Sequence, residues 1–116
     1  VEIWGSGEPY REFLYSEDAA DALVYLMQTY SGETHVNVGT GEELKIIELA
    51  KLIADVAGYH GAWKFDRSRQ DGTPRKLSDV RLLKSLGWMP HTSLRDGLQA
   101  TYDWFQGALA AGDIRA

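Results

Sequence analysis

Val1-Glu2-Ile3-Trp4-Gly5-Ser6-Gly7-Glu8-Pro9-Tyr10-Arg11-Glu12-Phe13-Leu14-Tyr15-Ser16-Glu17-Asp18 is the stretch on which the fold turns. Two short extended runs, 1–4 and 10–15, flank a Gly-Ser-Gly-Glu-Pro turn, and a helix start follows at once. Ser16 is expected to accept a hydrogen bond from an early helical N–H, with Glu17 and Asp18 placed where the helix dipole favours negative charge. The turn is expected to carry the Trp4 ring close to the Arg11 guanidinium. An aromatic face beside a fixed guanidinium suits a ligand with a ring or sugar at one point and a phosphate at another.

Outward from this stretch, Ala20, Leu23, Val24, Met27 and Tyr30 recur at helical spacing and predict a helix over 17–30 with one apolar face, ended by Ser31-Gly32. His35-Val36-Asn37-Val38-Gly39 reads as a short buried strand and 40–43 as a turn. A second helix is predicted over 46–57, with Gly58 after it, and 63–66 alternates as a half-buried strand does. The polar loop 67–76 holds four of the chain's twelve basic residues. Ser78 is read as the N-cap of a short helix over 79–86, stopped by Gly87. Ser93 opens the last helix with Ser93-x-x-Asp96, a variant of the capping box, and Leu94, Leu98, Thr101 or Tyr102, Phe105 and Leu109 are expected to line its inner face. The tail 111–116 is expected to fray, leaving one domain over 1–110. The order β-β-α-β-α-β-loop-α-α predicts a small mixed α/β domain. It lacks the repeating β-α units of a complete doubly wound sheet. The thin sheet and the start at Val1, inside a strand-like run, are expected of a piece that leans on a partner domain.

The 116 residues carry a net charge of −5 and a pI near 5.1. A nucleic-acid binder would present a basic face, so nucleic acid is not an expected partner. No apolar run approaches the roughly 20 residues that span a bilayer, so no membrane is expected either. Without Cys there is no disulfide and no thiolate nucleophile in the chain, which fits a cytoplasmic protein. His35, His60 and His91 stand isolated, without metal-ligand spacing. No carboxylate pair stands out for acid–base work, and no residue is assigned a catalytic role.

The residues that carry binding chemistry each admit a plainer reading. Arg11 is either a bidentate partner for a diphosphate oxygen or a surface cation bridging Glu12 or Glu17. Trp4 is either a packing surface for a ligand or a core side chain. Arg75 and Lys76 lie before a helix start, a reasonable phosphate site, yet basic loops are often simply solvated. Asp71 either accepts from a ligand hydroxyl or serves its own Asp-Gly turn. Gly5-Ser-Gly7 and Gly39-Thr-Gly41 both lack the third glycine of a dinucleotide fingerprint, with Tyr10 and Leu44 standing there instead.

Several of these pieces together resemble the C-terminal, substrate-binding part of the extended short-chain dehydrogenase/reductases, the NAD-dependent epimerase/dehydratase family. Trp4-Gly-Ser-Gly, Arg11-Glu-Phe-Leu and Asp18 resemble the family's opening pattern, with Glu17 in place of the first Asp of an Asp-Asp pair. His35-Val-Asn-Val-Gly-Thr-Gly41, Asp71-Gly-Thr-Pro-Arg-Lys-Leu77 with Asp79, and Leu86-Gly-Trp88 extend the likeness over residues 1–105, Ser78 replacing one Leu. The Asp71–Lys76 motif is similar to that of the branch acting on GDP-sugars as NADPH-dependent 3,5-epimerase-4-reductases. The resemblance implies that Trp4, Arg11, Asp71, Arg75 and Lys76 bind the sugar nucleotide. It implies that NADP(H) is held by an N-terminal Rossmann domain outside this chain, and that the whole enzyme is a homodimer. The superfamily's Tyr-x-x-x-Lys pair is absent from these residues, so the chain alone is expected to be inactive. The alternatives are a non-catalytic nucleotide-sugar-binding module and a part of another sugar-nucleotide epimerase or dehydratase.

Overall fold

The structure is a computed structural model and describes residues 1–114. Two small sheets form its centre. Strands β1 (Glu2–Trp4) and β4 (Lys64–Asp66) pair in parallel, Ile3 opposite Phe65 and Trp4 opposite Asp66. Strand β2 (Tyr10–Arg11) lies between β3 (Leu44–Lys45), antiparallel to it, and β5 (Arg75–Lys76), parallel to it. The helices are α1 (Ser16–Thr29), α2 (Ile46–Val56), α3 (Arg81–Ser85) and α4 (Leu94–Ala111).

The Gly-Ser-Gly turn passes the chain from one sheet to the other. Gly5 and Gly7 sit at φ +78° and +77°, the left-handed region where a Cβ is penalised. A side chain on Gly5 would stand 2.3 Å from Asp71 Oδ1, and one on Gly7 3.1 Å from Ile47 Cβ. The turn is anchored on both sides. Gly5 N–H donates to Asp66 O, and Gly7 O accepts from Ile47 N–H at the start of α2. Replacing Gly5 with Ala is expected to destabilise the fold by about 1–2 kcal/mol through the backbone conformation alone. It should also detach Asp71. A fall in melting temperature with faster exchange at the Ser6 amide checks this.

Two expected strands shrink or vanish. The run 10–15 is paired only at Tyr10 and Arg11. Residues 35–39 turn Val36 and Val38 toward the core but form no strand, since among the described residues no ladder partner meets them. The period-2 pattern was legible, whereas a strand also needs a neighbour to pair with. β3, unforeseen, is supplied by the residues after the Thr40-Gly41 turn. Ser16 does not cap α1: Tyr15 holds the N-cap position without a side-chain bond. Ser78 does not cap α3 either. Val80 is at the N-cap, and Asp79 Oδ1 accepts from Arg81 N–H. The Ser93 cap forms as read, its Oγ accepting from Asp96 N–H and donating to Asp96 Oδ2. α4 runs to Ala111 and closes on Gly112. Of the tail expected to fray, residues 115 and 116 lie outside the described residues.

The main core is small: Ala22, Val80, Leu83 and Trp88 are buried, with Leu14, Tyr25, Leu26, Val36 and Val38 packed on them. Asp18 is buried with them and accepts from His91 N–H (3.1 Å), Thr92 N–H (2.8 Å) and Thr92 Oγ1–H (3.0 Å). Trp88 Nε1–H donates to Asp21 and Tyr25 OH to Leu86 O, so α1 holds the whole 86–92 connector. The apolar stripe that predicted α1 faces away from this core. Leu23 is 63 % and Met27 76 % exposed, while Asp18, Ala22 and Tyr25 point inward. α4 packs on α2, and its Trp104 is 67 % exposed. The radius of gyration is 16.9 Å, against about 13 Å for a compact domain of this length. The body is thus open, with much apolar surface outward.

Candidate functional site

Parallel pairing of β2 with β5 puts Arg11 directly beside Lys76, and Tyr10 beside Arg75. Side chains at paired positions share a face, and successive residues alternate. Arg11 and Lys76 therefore emerge on one face of this sheet, and Arg75 on the other. The structure divides the three cations accordingly. Arg75 Nε lies 2.6 Å from Glu43 Oε1, a pair that raises the guanidinium's affinity for its proton. Arg11 meets neither Glu12 nor Glu17. Its Nη1 donates to Tyr10 O (2.6 Å) and Thr73 O (2.7 Å), bonds that fix the guanidinium plane against the 71–74 loop. Among the described residues, no carboxylate lies within ion-pair distance of Arg11 or Lys76. Two cations side by side, one oriented and neither neutralised, form a surface suited to an anion with several oxygens.

Trp4 is not a core residue. It is 67 % exposed on the outer face of β1–β4. The cation over its ring is Arg69, with Cζ 4.8 Å from the centroid, rather than Arg11. Arg69 is steadied by Asp66, opposite Trp4 in the strand register. Arg69 belongs to the polar loop 67–76, outside the residues given a binding reading from sequence. The i, i+3 spacing from Asp66 was the signal that tied it to this strand.

Asp71 is spent on the turn. Its Oδ1 accepts from Ser6 N–H (2.8 Å) and its Oδ2 from Ser6 Oγ–H (2.6 Å). These bonds, with Arg67 nearby, hold its carboxyl below the usual range. Asp71 thus ties the front of the 71–76 segment to the Gly5-Ser6-Gly7 turn, and Gly72 passes 3.0 Å from Arg11 Nη2 as measured from its would-be Cβ.

Glu12 is the residue that the sequence did not single out. Its Oε1 accepts from Gly41 N–H (2.6 Å) and Thr40 Oγ1–H (3.3 Å), and its Oε2 from Ser78 N–H (2.9 Å). Burial pushes the carboxyl up, but the hydrogen bonds from Gly41, Ser78 and Thr40 outweigh it, and the net displacement is downward from 4.5. A carboxyl depressed by folding adds stability that is complete above its unfolded value and is lost as pH falls through its folded value. The melting temperature is therefore expected to be level above pH 5 and to drop below about 4.5. A Glu12→Gln variant should lose part of that acid-side slope. Parallel pH–melting curves for the two proteins measure the difference.

These bonds also decide a point about dinucleotides. In a phosphate-binding loop the glycine amides face the ligand, and a helix follows. Here the Gly41 amide faces Glu12, and the next element is β3. The Gly39-Thr40-Gly41 turn does not fit a nicotinamide dinucleotide.

The comparisons with known proteins agree with this architecture. Residues 1–39 match the model of the NAD dependent epimerase/dehydratase family. The chain as a whole is a small mixed α/β unit that matches the C-terminal part of such epimerase and reductase structures.

Within that class the similarity is to GDP-L-fucose synthases. GDP-L-fucose synthase 1 of Arabidopsis thaliana is 54 % identical over 105 residues, 90 % of this chain and 32 % of that protein. The GDP-L-fucose synthase of Escherichia coli K12 is 48 % identical over 114 residues, 90 % of this chain and 36 % of that one. The crystal structure of a GDP-L-fucose synthetase from Naegleria fowleri bound to NADP superposes with a TM-score of 0.89 at 31 % identity, covering 94 % of this chain and 35 % of that chain. The chain thus spans about a third of the length of its relatives. No helix among the described residues is long and apolar enough to cross a membrane.

Proposed function

We propose that the chain is the sugar-nucleotide-binding part of a GDP-L-fucose synthase. The whole enzyme makes GDP-L-fucose from GDP-4-keto-6-deoxy-D-mannose by epimerisation at C3 and C5 and NADPH-dependent reduction at C4. The observation that carries this reading is the unpaired Arg11–Lys76 couple on one sheet face, set within a sequence half identical to those enzymes. Arg11 and Lys76 hold the diphosphate. Trp4, backed by Arg69, offers its ring to the sugar or base. Asp71 shapes the turn between them, and Arg75 braces the opposite face through Glu43.

The role of this part is positioning. Binding energy gathered at the nucleotide, away from the reacting carbons, holds the sugar against the reactive groups. The cofactor supplies hydride when bound. The residues here do not fit it, and the chain carries no Cys for the epimerisation. Both belong to the other two thirds of the protein, an N-terminal Rossmann domain. The outward stripe of α1 and the unpaired residues 35–39 support such a packing partner.

Calorimetric titration of the full-length protein with GDP-L-fucose tests the reading. Micromolar binding that is lost in Arg11→Ala is expected. Equal or tighter binding of UDP-glucose would assign the chain to a 4-epimerase or dehydratase instead.

A further inference from the structure

We infer that Glu12 is a positioning residue of the anion grip: it fixes Lys76 beside Arg11 by holding the chain immediately downstream of β5. This rests on the reading of Arg11 and Lys76 as the diphosphate site.

The segment that carries Lys76 is held by few ties, among them the Arg75–Glu43 pair on the opposite face. Residues 67–77 are all exposed, so no buried side chain anchors them, and β5 is only two residues long. Its upstream end is tied three times. Asp71 binds Ser6, Thr73 O accepts from Arg11, and Pro74 O accepts from Tyr10 N–H. Downstream of Lys76 the chain is next buried at Val80. Between them stand two side-chain ties, Ser78 N–H to Glu12 Oε2 at 2.9 Å and Asn37 Nδ2–H to Asp79 O at 3.2 Å, and the Glu12 tie is the nearer to Lys76.

Glu12 is built to hold that tie in a fixed direction. It follows Arg11 directly in the chain, so its backbone moves with the guanidinium's own strand. Its other oxygen is locked by the Gly41 amide at 2.6 Å, and a side chain on Gly39 would stand 2.4 Å from Oε1. One carboxylate therefore joins three segments, the exit of β2, the 39–41 turn and the exit of β5. With both oxygens occupied by protein donors, Glu12 does not contact the ligand. It acts through Lys76. Gln in its place has one acceptor oxygen, and its NH2 must face either Ser78 N–H or Gly41 N–H, where no hydrogen bond can form.

A double-mutant cycle in the full-length enzyme tests the inference. Glu12→Gln is expected to raise KM for the GDP-sugar substrate roughly tenfold while kcat stays within about twofold, the signature of lost ground-state binding. In a Lys76→Ala background the same change is expected to raise KM by less than about twofold, because the residue it positions is gone. A loss of stability alone would move neither KM nor this coupling. A full tenfold effect in both backgrounds, or no effect in either, overturns the inference. Arg11→Ala is run alongside: an unchanged KM there overturns the grip itself, separately from the role of Glu12. If Glu12→Gln does not fold, Ser78→Pro removes the donor and leaves Glu12 on Gly41. It should give the same KM rise and the same non-additivity, and an unchanged KM sinks the idea.

Discussion

Arg11→Ala in the full-length enzyme is expected to raise KM for the GDP-sugar about 10- to 100-fold with little change in kcat. The size follows from the bonds at stake. A hydrogen bond to a charged group contributes about 1.5–3 kcal/mol, and each 1.4 kcal/mol is about tenfold in affinity. The direction follows from geometry. Arg11 lies on a sheet face with Lys76, and its Nη1 already donates to the Tyr10 and Thr73 carbonyls, so the fork is aimed before the ligand arrives. Contacts to a remote diphosphate hold substrate and transition state alike, which moves KM rather than kcat. Arg11→Lys should recover only part of the loss, since an ammonium is a point donor without the planar fork. Steady-state kinetics with direct titration decide it. A fall in kcat at unchanged KM would place Arg11 in the chemical step and refute the grip.

Asp18→Ala is expected to be the costliest polar substitution in the fold, about 3 kcal/mol or more. Asp18 is buried, and it alone receives His91 N–H, Thr92 N–H and the Thr92 hydroxyl. Removing it strands two backbone donors, each at about 1–3 kcal/mol. It also frees the connector that sets the start of α4. Asp18→Asn retains one acceptor oxygen and should lose less. Thermal unfolding gives the magnitudes. Hydrogen exchange at the Thr92 amide gives the site, and unchanged protection there in the Ala variant would contradict the account.

Much of this architecture was legible in residues alone, and the exceptions have physical causes. The three longer helices were placed by apolar spacing, because periodicity depends only on the chain itself, and the short α3 by its flanking Ser78 and Gly87. Which side of a helix turns inward depends on what is packed against it, and here the stripe of Leu23, Val24 and Met27 faces out while Asp18 and Ala22 face in. Residues 35–39 have a strand's alternation without its neighbour. In the basic loop Arg75 and Lys76 are adjacent in sequence, but a strand sends them to opposite faces, and only the pairing of β5 with β2 reveals which one lies beside Arg11. Glu12 was invisible because its three partners come from residues 40, 41 and 78, a convergence that no local pattern encodes.

The division of labour between carboxylates and cations has a consequence for ionic strength. Asp71 and Glu12 shape the site through hydrogen bonds of 2.6 to 3.3 Å, mostly to backbone amides. Contacts so short and directional lie well inside the Debye length of roughly 8 Å at physiological salt, and added salt leaves them in place. On the proposed reading, Lys76 and the open side of Arg11 would attract an anion across water, and that attraction is screened. Salt should therefore weaken capture of the anion without loosening the cradle, leaving melting temperature steady while Kd climbs. On that reading the occupancy of the site, rather than its shape, should follow the electrolyte around it.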